Sequence, residues 1–251
     1  MILSGKNVLV TGGSRGLGRA VAETLATSGA AVIINYAHHE GDAVKTAEDI
    51  RKKGGRAYVV HADVTDEHSV NQLSEKIIDL GIGTVDILVN NATGPQPEKN
   101  IEECSWQDYL DQLVFTVKAP LLLTKMLFQA MKEKHWGRII NIGSEVVQLG
   151  SGGFSNYVTA KSAMIGMTRS WATELGPFGI TVNLVNPGFI PVERHQGTGA
   201  AVLESYSAGV PLGHMGKPQD IGEMVTFLAS ERAKFITGQS ISVNGGNTFG
   251  I

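Results

Sequence analysis

The stretch Asn7-Val8-Leu9-Val10-Thr11-Gly12-Gly13-Ser14-Arg15-Gly16-Leu17-Gly18-Arg19-Ala20-Val21-Ala22 decides the fold. An apolar, β-favouring run enters a turn rich in glycine. The turn then opens a helical stripe of Leu17, Ala20, Val21, Ala22 and Leu25. A turn at this place needs residues without a Cβ, so that backbone N–H groups and the positive helix end can come close to a phosphate. The glycines fall at Gly12, Gly16 and Gly18, three residues separating the first two, so the spacing is not G-x-G-x-x-G. Glycines alone say little. At the first βα turn of a βαβ unit they are a strong sign of phosphate binding.

Outward from that turn, apolar runs alternate with helix-period segments to the end of the chain. Strands are expected at Asn7–Thr11, Ala31–Tyr36, Arg56–His61, Ile87–Asn90, Arg138–Ile142, Thr181–Val185 and Ile241–Val243. They read as continuous apolar runs, the pattern of parallel strands covered on both faces. Helical patterns occupy roughly 41–53, 67–80, 106–134, 156–175 and 219–229. The expected fold is α/β, a doubly wound parallel sheet of about seven strands with right-handed crossovers. Nothing resembling a linker divides residues 1–251, which read as one domain. The alternation fails only between Gly188 and Lys217, rich in Gly and Pro, with a weak helical pattern near Ala200–Ser207. A long irregular segment inside a compact domain often serves as a lid over a site.

Composition narrows the function classes. The 251 residues are 42% hydrophobic and 18% charged, too apolar for a disordered chain. Glycine supplies 31 residues, well above the usual share of about 7%. A net charge of -3 without a basic stripe argues against nucleic acid and anionic membrane as partners. The single Cys104 forbids an internal disulfide and fits a reducing, cytoplasmic setting. No apolar run reads as long enough to span a bilayer: the longest uncharged stretch, Leu175 to Val192, is broken by Pro, Gly and Asn. Seven histidines form no HxxxH pair, so no metal site is expected, and His38-His39 reads as a solvated loop. Trp106, Trp136 and Trp171 read as packing residues.

The chemistry-bearing residues lie in the second half. Tyr157 and Lys161 are four apart in a helical segment and share a face. An ammonium beside a phenol favours the phenolate and lowers its pKa from about 10. A shift of two or three units needs roughly 3–4 kcal/mol, available only where water is partly excluded. A tyrosine so tuned can act as general acid or base. Ser144 ends the fifth expected strand, at the carboxyl edge where such sheets bind ligands. Its hydroxyl can donate to a substrate oxygen as charge develops there.

Thr11-Gly12-x-x-x-Gly16-x-Gly18, Asp63-Val64, Asn90-Asn91-Ala92, Ser144, Tyr157-x-x-x-Lys161, Asn186-Pro187-Gly188 and Val243-Asn244-Gly245-Gly246 together resemble the short-chain dehydrogenases/reductases, over nearly the whole chain. The resemblance implies a Rossmann-type NAD(P)-binding oxidoreductase. In that reading Tyr157 protonates a carbonyl oxygen while hydride arrives from a nicotinamide, Lys161 holds the ribose and tunes Tyr157, and Ser144 positions the substrate. It also implies cofactor contacts at Gly12, Ser14, Arg15, Gly16, Leu17, Gly18, Tyr36, Asp63, Val64, Asn90, Ala92, Tyr157, Lys161, Pro187, Gly188 and Ile190. Substrate contacts are expected from Thr93, Gly94, Glu145, Val146, Phe154, Phe189 and the segment around 188–217. Glu145, unusual beside an apolar acyl site, either faces solvent or binds a polar substrate group.

Three positions depart from the family pattern. Thr93 stands where its NNAG motif has glycine. The fourth catalytic residue, an asparagine that holds a relay water, aligns with Thr116, whose hydroxyl is shorter and less versatile than an amide. Val192 replaces a threonine that contacts the nicotinamide carboxamide, leaving backbone groups near Ile190. The second strand ends Asn35-Tyr36-Ala37-His38-His39 with no carboxylate before Glu40, and Arg15 can pair with a 2′-phosphate. Both favour NADP over NAD. The resemblance is nearest to 3-oxoacyl-[acyl-carrier-protein] reductases, through Pro211-Leu212-Gly213, Gly216-Lys217-Pro218 and Ile236-Thr237-Gly238, and implies a fatty acid biosynthesis role and a homotetramer. Where such reductases carry arginines for an acidic carrier, this chain has His135 and Phe178, with Lys132, Lys134 and Arg138 close by. A 3-oxoacyl thioester, on an acyl carrier protein or free, is the leading substrate. A small ketone, sugar or polyol is the alternative, and a non-catalytic redox sensor that binds dinucleotide is the rival of another class.

Overall fold

A computed structural model describes residues 1–250, with the Arg194 side chain outside the description. The elements run β1 (Asn7–Val10), α1 (Gly16–Thr27), β2 (Ala31–Tyr36), α2 (Glu40–Lys52), β3 (Arg56–His61), α3 (Glu67–Asp79), β4 (Ile87–Asn90), α4 (Trp106–Leu113), α5 (Ala119–Glu133), β5 (Gly137–Ile142), α6 (Val146–Leu149), α7 (Ser155–Leu175), β6 (Ile180–Pro187), α8 (Ala200–Gly209), α9 (Pro218–Ala229) and β7 (Ser240–Val243). All seven strands join one parallel sheet in the order β3-β2-β1-β4-β5-β6-β7. The order reverses between β1 and β4, the switch point where doubly wound sheets open a ligand crevice at their carboxyl edge.

The central strands are buried on both faces because their residues alternate between two apolar layers. Val8, Val10, Val32 and Ile34 pack under α1 and α9, while Leu9 and Ile33 pack with residues of α3, α5 and α7. Some polar groups inside the sheet pair with one another. Asn90 Nδ2 donates to Asn141 Oδ1 at 2.8 Å, and Asn141 Nδ2 to Thr168 Oγ1 at 2.9 Å, which ties β4 and β5 to α7.

Two expectations change. The single helix expected over 106–134 contains a π-turn at Val114–Lys118 between α4 and α5. An inserted residue of this kind does not disturb an apolar stripe enough to be visible in sequence. Trp106–Glu133 is also long and apolar enough by length and composition to cross a bilayer, with about a third of its most apolar stretch buried. That overturns the expectation that no run reaches this length. Its buried Leu123, Leu127 and Met131 pack into the sheet's second apolar layer. In the segment after Gly188, the weak helical pattern near Ala200–Ser207 is the ten-residue α8, and a 3-10 turn at Glu193–His195 precedes it.

Candidate active site

The glycine turn at the β1 exit is built by its neighbours. Thr11 Oγ1 accepts from the N–H groups of Asn91 and Ala92 at 2.9 and 3.0 Å, and Asn91 Nδ2 donates to the carbonyls of Thr11 and Gly12. Gly12 and Gly16 have φ of +60° and +56°, backbone that L side chains rarely adopt. Gly18 is required for a different reason: a Cβ there would run into the Gly12 carbonyl and the Asn91 amide. Thr46 Oγ1 of α2 fixes the turn from the other side, donating to Ser14 O at 2.8 Å.

These residues fit a dinucleotide's diphosphate. The α1 N-terminus has no side-chain cap and no acidic residue in its first turn, whereas α3 and α4 are capped by Asp66 and Ser105. Its N–H groups therefore remain available to an anion. Near the β2 exit, Arg15 is exposed and Tyr36 is buried against the edge of His61. Burial and the nearby charge of Glu40 push the Tyr36 phenol above its usual range. The first carboxylate after β2 is the exposed Glu40, which opens α2. Val64 is buried, while the exposed Asp63 accepts from Thr65 N–H and hydroxyl at 2.9 and 2.7 Å.

Tyr157 and Lys161 lie on the inner face of α7, both less than a tenth exposed. The Lys161 ammonium sits 5.7 Å from the centre of the Tyr157 ring and donates to Ile142 O, the last residue of β5, at 2.6 Å. Two residues on, Ser144 Oγ accepts from Val146 N at 3.3 Å and is half-buried. The β5 exit and the first turns of α7 therefore hold a hydroxyl, a phenol and an ammonium at the carboxyl edge of the sheet. Thr116 lies inside the π-turn, buried, with its hydroxyl donating to Gln112 O at 2.9 Å. Its proton is spent on the helix, leaving only lone-pair acceptance for other partners. Asn156, buried beside Tyr157, accepts from the Tyr157 N–H, while its Nδ2 has no hydrogen-bond partner.

The loop after Ala92 is tied down on several sides. Gly94 lies on the Phe115 ring so closely that a Cβ would collide with it, and Gln112 Nε2 donates to Pro95 O at 2.8 Å. Lys99 pairs with Asp108 at 2.6 Å and donates its N–H to Gly153 O. Thr93 is exposed and accepts from Gln96, while Phe154, Val146 and Phe189 are half-buried around the same edge.

Glu145 requires a correction. It does not face solvent: the residue is 3% exposed and its oxygens accept from Tyr206, Asn244 and Asn247. Tyr206 and Gln112 were not singled out from the sequence, because their partners lie far away along the chain.

At the opposite edge, the basic residues near the β5 entry are largely committed. Arg138 is buried, stacks on Trp136 at 4.3 Å and lies 3.4 Å from Glu231, and burial lowers its pKa. Lys134 pairs with Asp86 at 2.6 Å, and Lys132 covers the Phe178 ring at 4.3 Å. No cluster of three or more metal-ligating side chains occurs among the described residues.

Residues 12–248 match the family described as Enoyl-(Acyl carrier protein) reductase. The chain is 40% identical to the 3-oxoacyl-[acyl-carrier-protein] reductase FabG of Aquifex aeolicus over 97% of its length and 98% of the relative's. It is also 40% identical to the Escherichia coli FabG, over 98% of each. Among solved structures, a blue fluorescent protein from a metagenomic library in complex with NADPH superposes with a TM-score of 0.89 at 36% identity, covering 99% of this chain and 100% of that one. A Serratia marcescens short-chain dehydrogenase/reductase variant gives 0.89 at 33% identity, with the same coverage. With a seven-stranded Rossmann sheet, a glycine turn fitted to a diphosphate and relatives of this similarity, the chain belongs to the short-chain dehydrogenase/reductase family and is an NAD(P)-dependent oxidoreductase.

Proposed function

We propose that the protein reduces a 3-oxoacyl thioester to the 3-hydroxyacyl thioester with NADPH. The observation that carries the reading is the grouping of Ser144, Tyr157 and Lys161 at the β5 exit, within a chain 40% identical to 3-oxoacyl-[acyl-carrier-protein] reductases. Gly12, Ser14, Arg15, Gly16, Leu17 and Gly18 would hold the diphosphate and adenosine side of the cofactor, with Tyr36, Asp63 and Val64 beyond. Asn90, Ala92, Pro187, Gly188 and Ile190 would line its nicotinamide side. When bound, the reduced nicotinamide supplies hydride to the carbonyl carbon.

The chain's own groups handle the oxygen. Tyr157 gives its phenolic proton to the carbonyl oxygen, and Ser144 donates a hydrogen bond that strengthens as that oxygen gains charge. Lys161 keeps a positive charge beside the phenol, which favours its ionised form. Thr116 is the weak point of proton resupply, because its hydroxyl proton already goes to Gln112 O. Thr93, Val146, Phe154 and Phe189 would face the substrate.

NADPH is favoured over NADH because β2 ends without a carboxylate before Glu40, and Arg15 stands exposed on the glycine turn. The commitment of Arg138 and Lys134 to internal partners supports a thioester recognised by the pocket more than by a strongly basic carrier surface. The test is absorbance loss at 340 nm with an acetoacetyl thioester, run with NADPH and NADH. Faster oxidation of NADPH is expected. Turnover only with small ketones or sugars would overturn the substrate reading, and cofactor binding without turnover on any carbonyl would favour a sensor.

A further inference from the structure

The lid helix α8 rests on the site through a narrow face, the half-buried Leu203 and Tyr206, with Val210 buried just past its end. None of its residues is buried, and Val202 is 57% exposed. Tyr206 is the residue of this face that hydrogen-bonds into the site. The Tyr206 hydroxyl donates to Glu145 Oε1 at 2.5 Å and accepts from the Phe189 N–H at 2.8 Å, while its ring meets the Phe189 ring edge-on at 5.5 Å. Glu145 Oε2 accepts from Asn244 Nδ2 at 3.0 Å and Asn247 Nδ2 at 3.1 Å, both beyond β7. The Glu145 N–H donates to Pro187 O at 3.0 Å. One residue, next in the chain to Ser144, therefore grips the Pro187-Gly188-Phe189 turn from both sides: directly at Pro187, and through Tyr206 at Phe189. Space confirms the tightness, since a Cβ on Gly188 would lie 2.7 Å from the Tyr206 hydroxyl and 2.8 Å from Asn244 Cβ.

We propose that Glu145 is a positioning residue: its buried carboxylate latches the lid, through Tyr206, onto the turn that would carry the nicotinamide, and so sets the fraction of molecules ready to bind cofactor. The physical case rests on strength and placement. Hydrogen bonds to an ionised carboxylate are about twice as strong as neutral ones. A buried carboxylate also needs its donors, so releasing the lid strands a charge as well as a tyrosine. Burial and Glu145 together push the Tyr206 phenol up, which keeps its proton in place as the donor. With no fully buried side chain of its own, the helix rests on Leu203, the Tyr206 ring and Val210 just past its end, so losing the Tyr206 hydrogen bonds loosens it. Where only part of the population is competent, apparent cofactor affinity falls by that fraction.

The proposal rests on the reading of the Gly188 turn as part of the cofactor site, and the experiment separates the two. Hydrogen–deuterium exchange of residues 199–210 is measured in the wild type, Tyr206→Phe and Glu145→Gln, and cofactor affinity is read by fluorescence with NADPH and NADH. Tyr206→Phe keeps the ring and its packing, so it stays informative where Glu145→Gln fails to fold. In Tyr206→Phe, lid exchange is expected to be about tenfold faster with the sheet unchanged. Apparent cofactor Kd should rise about tenfold, excess cofactor should restore most of any turnover, and the double variant should be no worse than the more damaging single one. Lid exchange that stays at the wild-type rate, or rises only together with the sheet's, overturns the latch. Faster lid exchange with cofactor affinity unchanged overturns the link to the cofactor site. Neither outcome depends on which carbonyl substrate is turned over.

Discussion

Gly18→Ala tests the construction of the diphosphate turn. The backbone of Gly18 does not need a positive φ, so alanine meets no conformational penalty there; the obstacle is space. Its new methyl would occupy the position of the Gly12 carbonyl oxygen and press on Asn91 Nδ2, which itself donates to Thr11 O and Gly12 O. Neither neighbour is the free end of a flexible chain. Forcing a methylene-sized group into packed surroundings costs about 1–3 kcal/mol, and weakening the Asn91 bonds adds about 1 kcal/mol. A loss of about 2–4 kcal/mol corresponds to a fall in Tm of roughly 5–15 °C for a chain of this size. Gly41→Ala is the control: it lies exposed in the first turn of α2 with open space around its Cβ position, so stability should hold or rise by up to about 1 kcal/mol. Thermal unfolding by circular dichroism reads the stability, and NADPH fluorescence reads the turn. Gly18→Ala should lose cofactor affinity even at temperatures where it is fully folded. A variant that melts like wild type and binds NADPH as well would show that the turn is not held by the Gly12–Asn91 contact.

Further outcomes follow from the same site. Arg15→Ala should weaken NADPH binding by about tenfold or more and leave NADH almost untouched; equal losses for both cofactors would remove Arg15 from the 2′-phosphate. Thr116→Asn should raise turnover at unchanged cofactor affinity, because an amide can serve the helix and still donate to a water. A large loss of cofactor affinity would show that this residue lies elsewhere in the machinery. Lys99 and Ser105 hold the Asp108 carboxyl well below the usual carboxylate range. A group whose folded pKa is lowered stabilises fully above its unfolded value of about 4 and loses that contribution as pH falls through the folded value. The Tm advantage of wild type over Asp108→Asn should therefore shrink as pH drops from about 5 to 2; an advantage constant across that range would exclude the ion pair as its source.

Much of the fold was legible because the central strands are covered on both faces, so their sequences are continuous apolar runs with sharp ends. β2, β3 and β4 match their expected bounds, while β6 runs on to Pro187, two residues past the apolar run, because it pairs with β7 to the end. The π-turn was not legible, since one extra residue per turn leaves an apolar stripe intact. Ser144, Tyr157 and Lys161 stood out through spacing along one strand exit and one helix. The buried setting of Glu145 was not legible because its partners, Tyr206, Asn244 and Asn247, lie 61 to 102 residues away. No local pattern records which donors will converge on a carboxylate. Arg138 shows the same limit: as a sequence it reads as a surface cation near the β5 entry, and only packing against Trp136 takes it inside.

The most direct test of the account is NADPH oxidation at 340 nm with an acetoacetyl thioester, wild type beside Tyr157→Phe. The account predicts turnover in the wild type that collapses in the variant, with NADPH binding retained in both, because removing one phenolic hydroxyl takes the proton donor and leaves the turn intact. A variant that turns over as fast as wild type would contradict the assignment of Tyr157 as the acid that protonates the carbonyl oxygen.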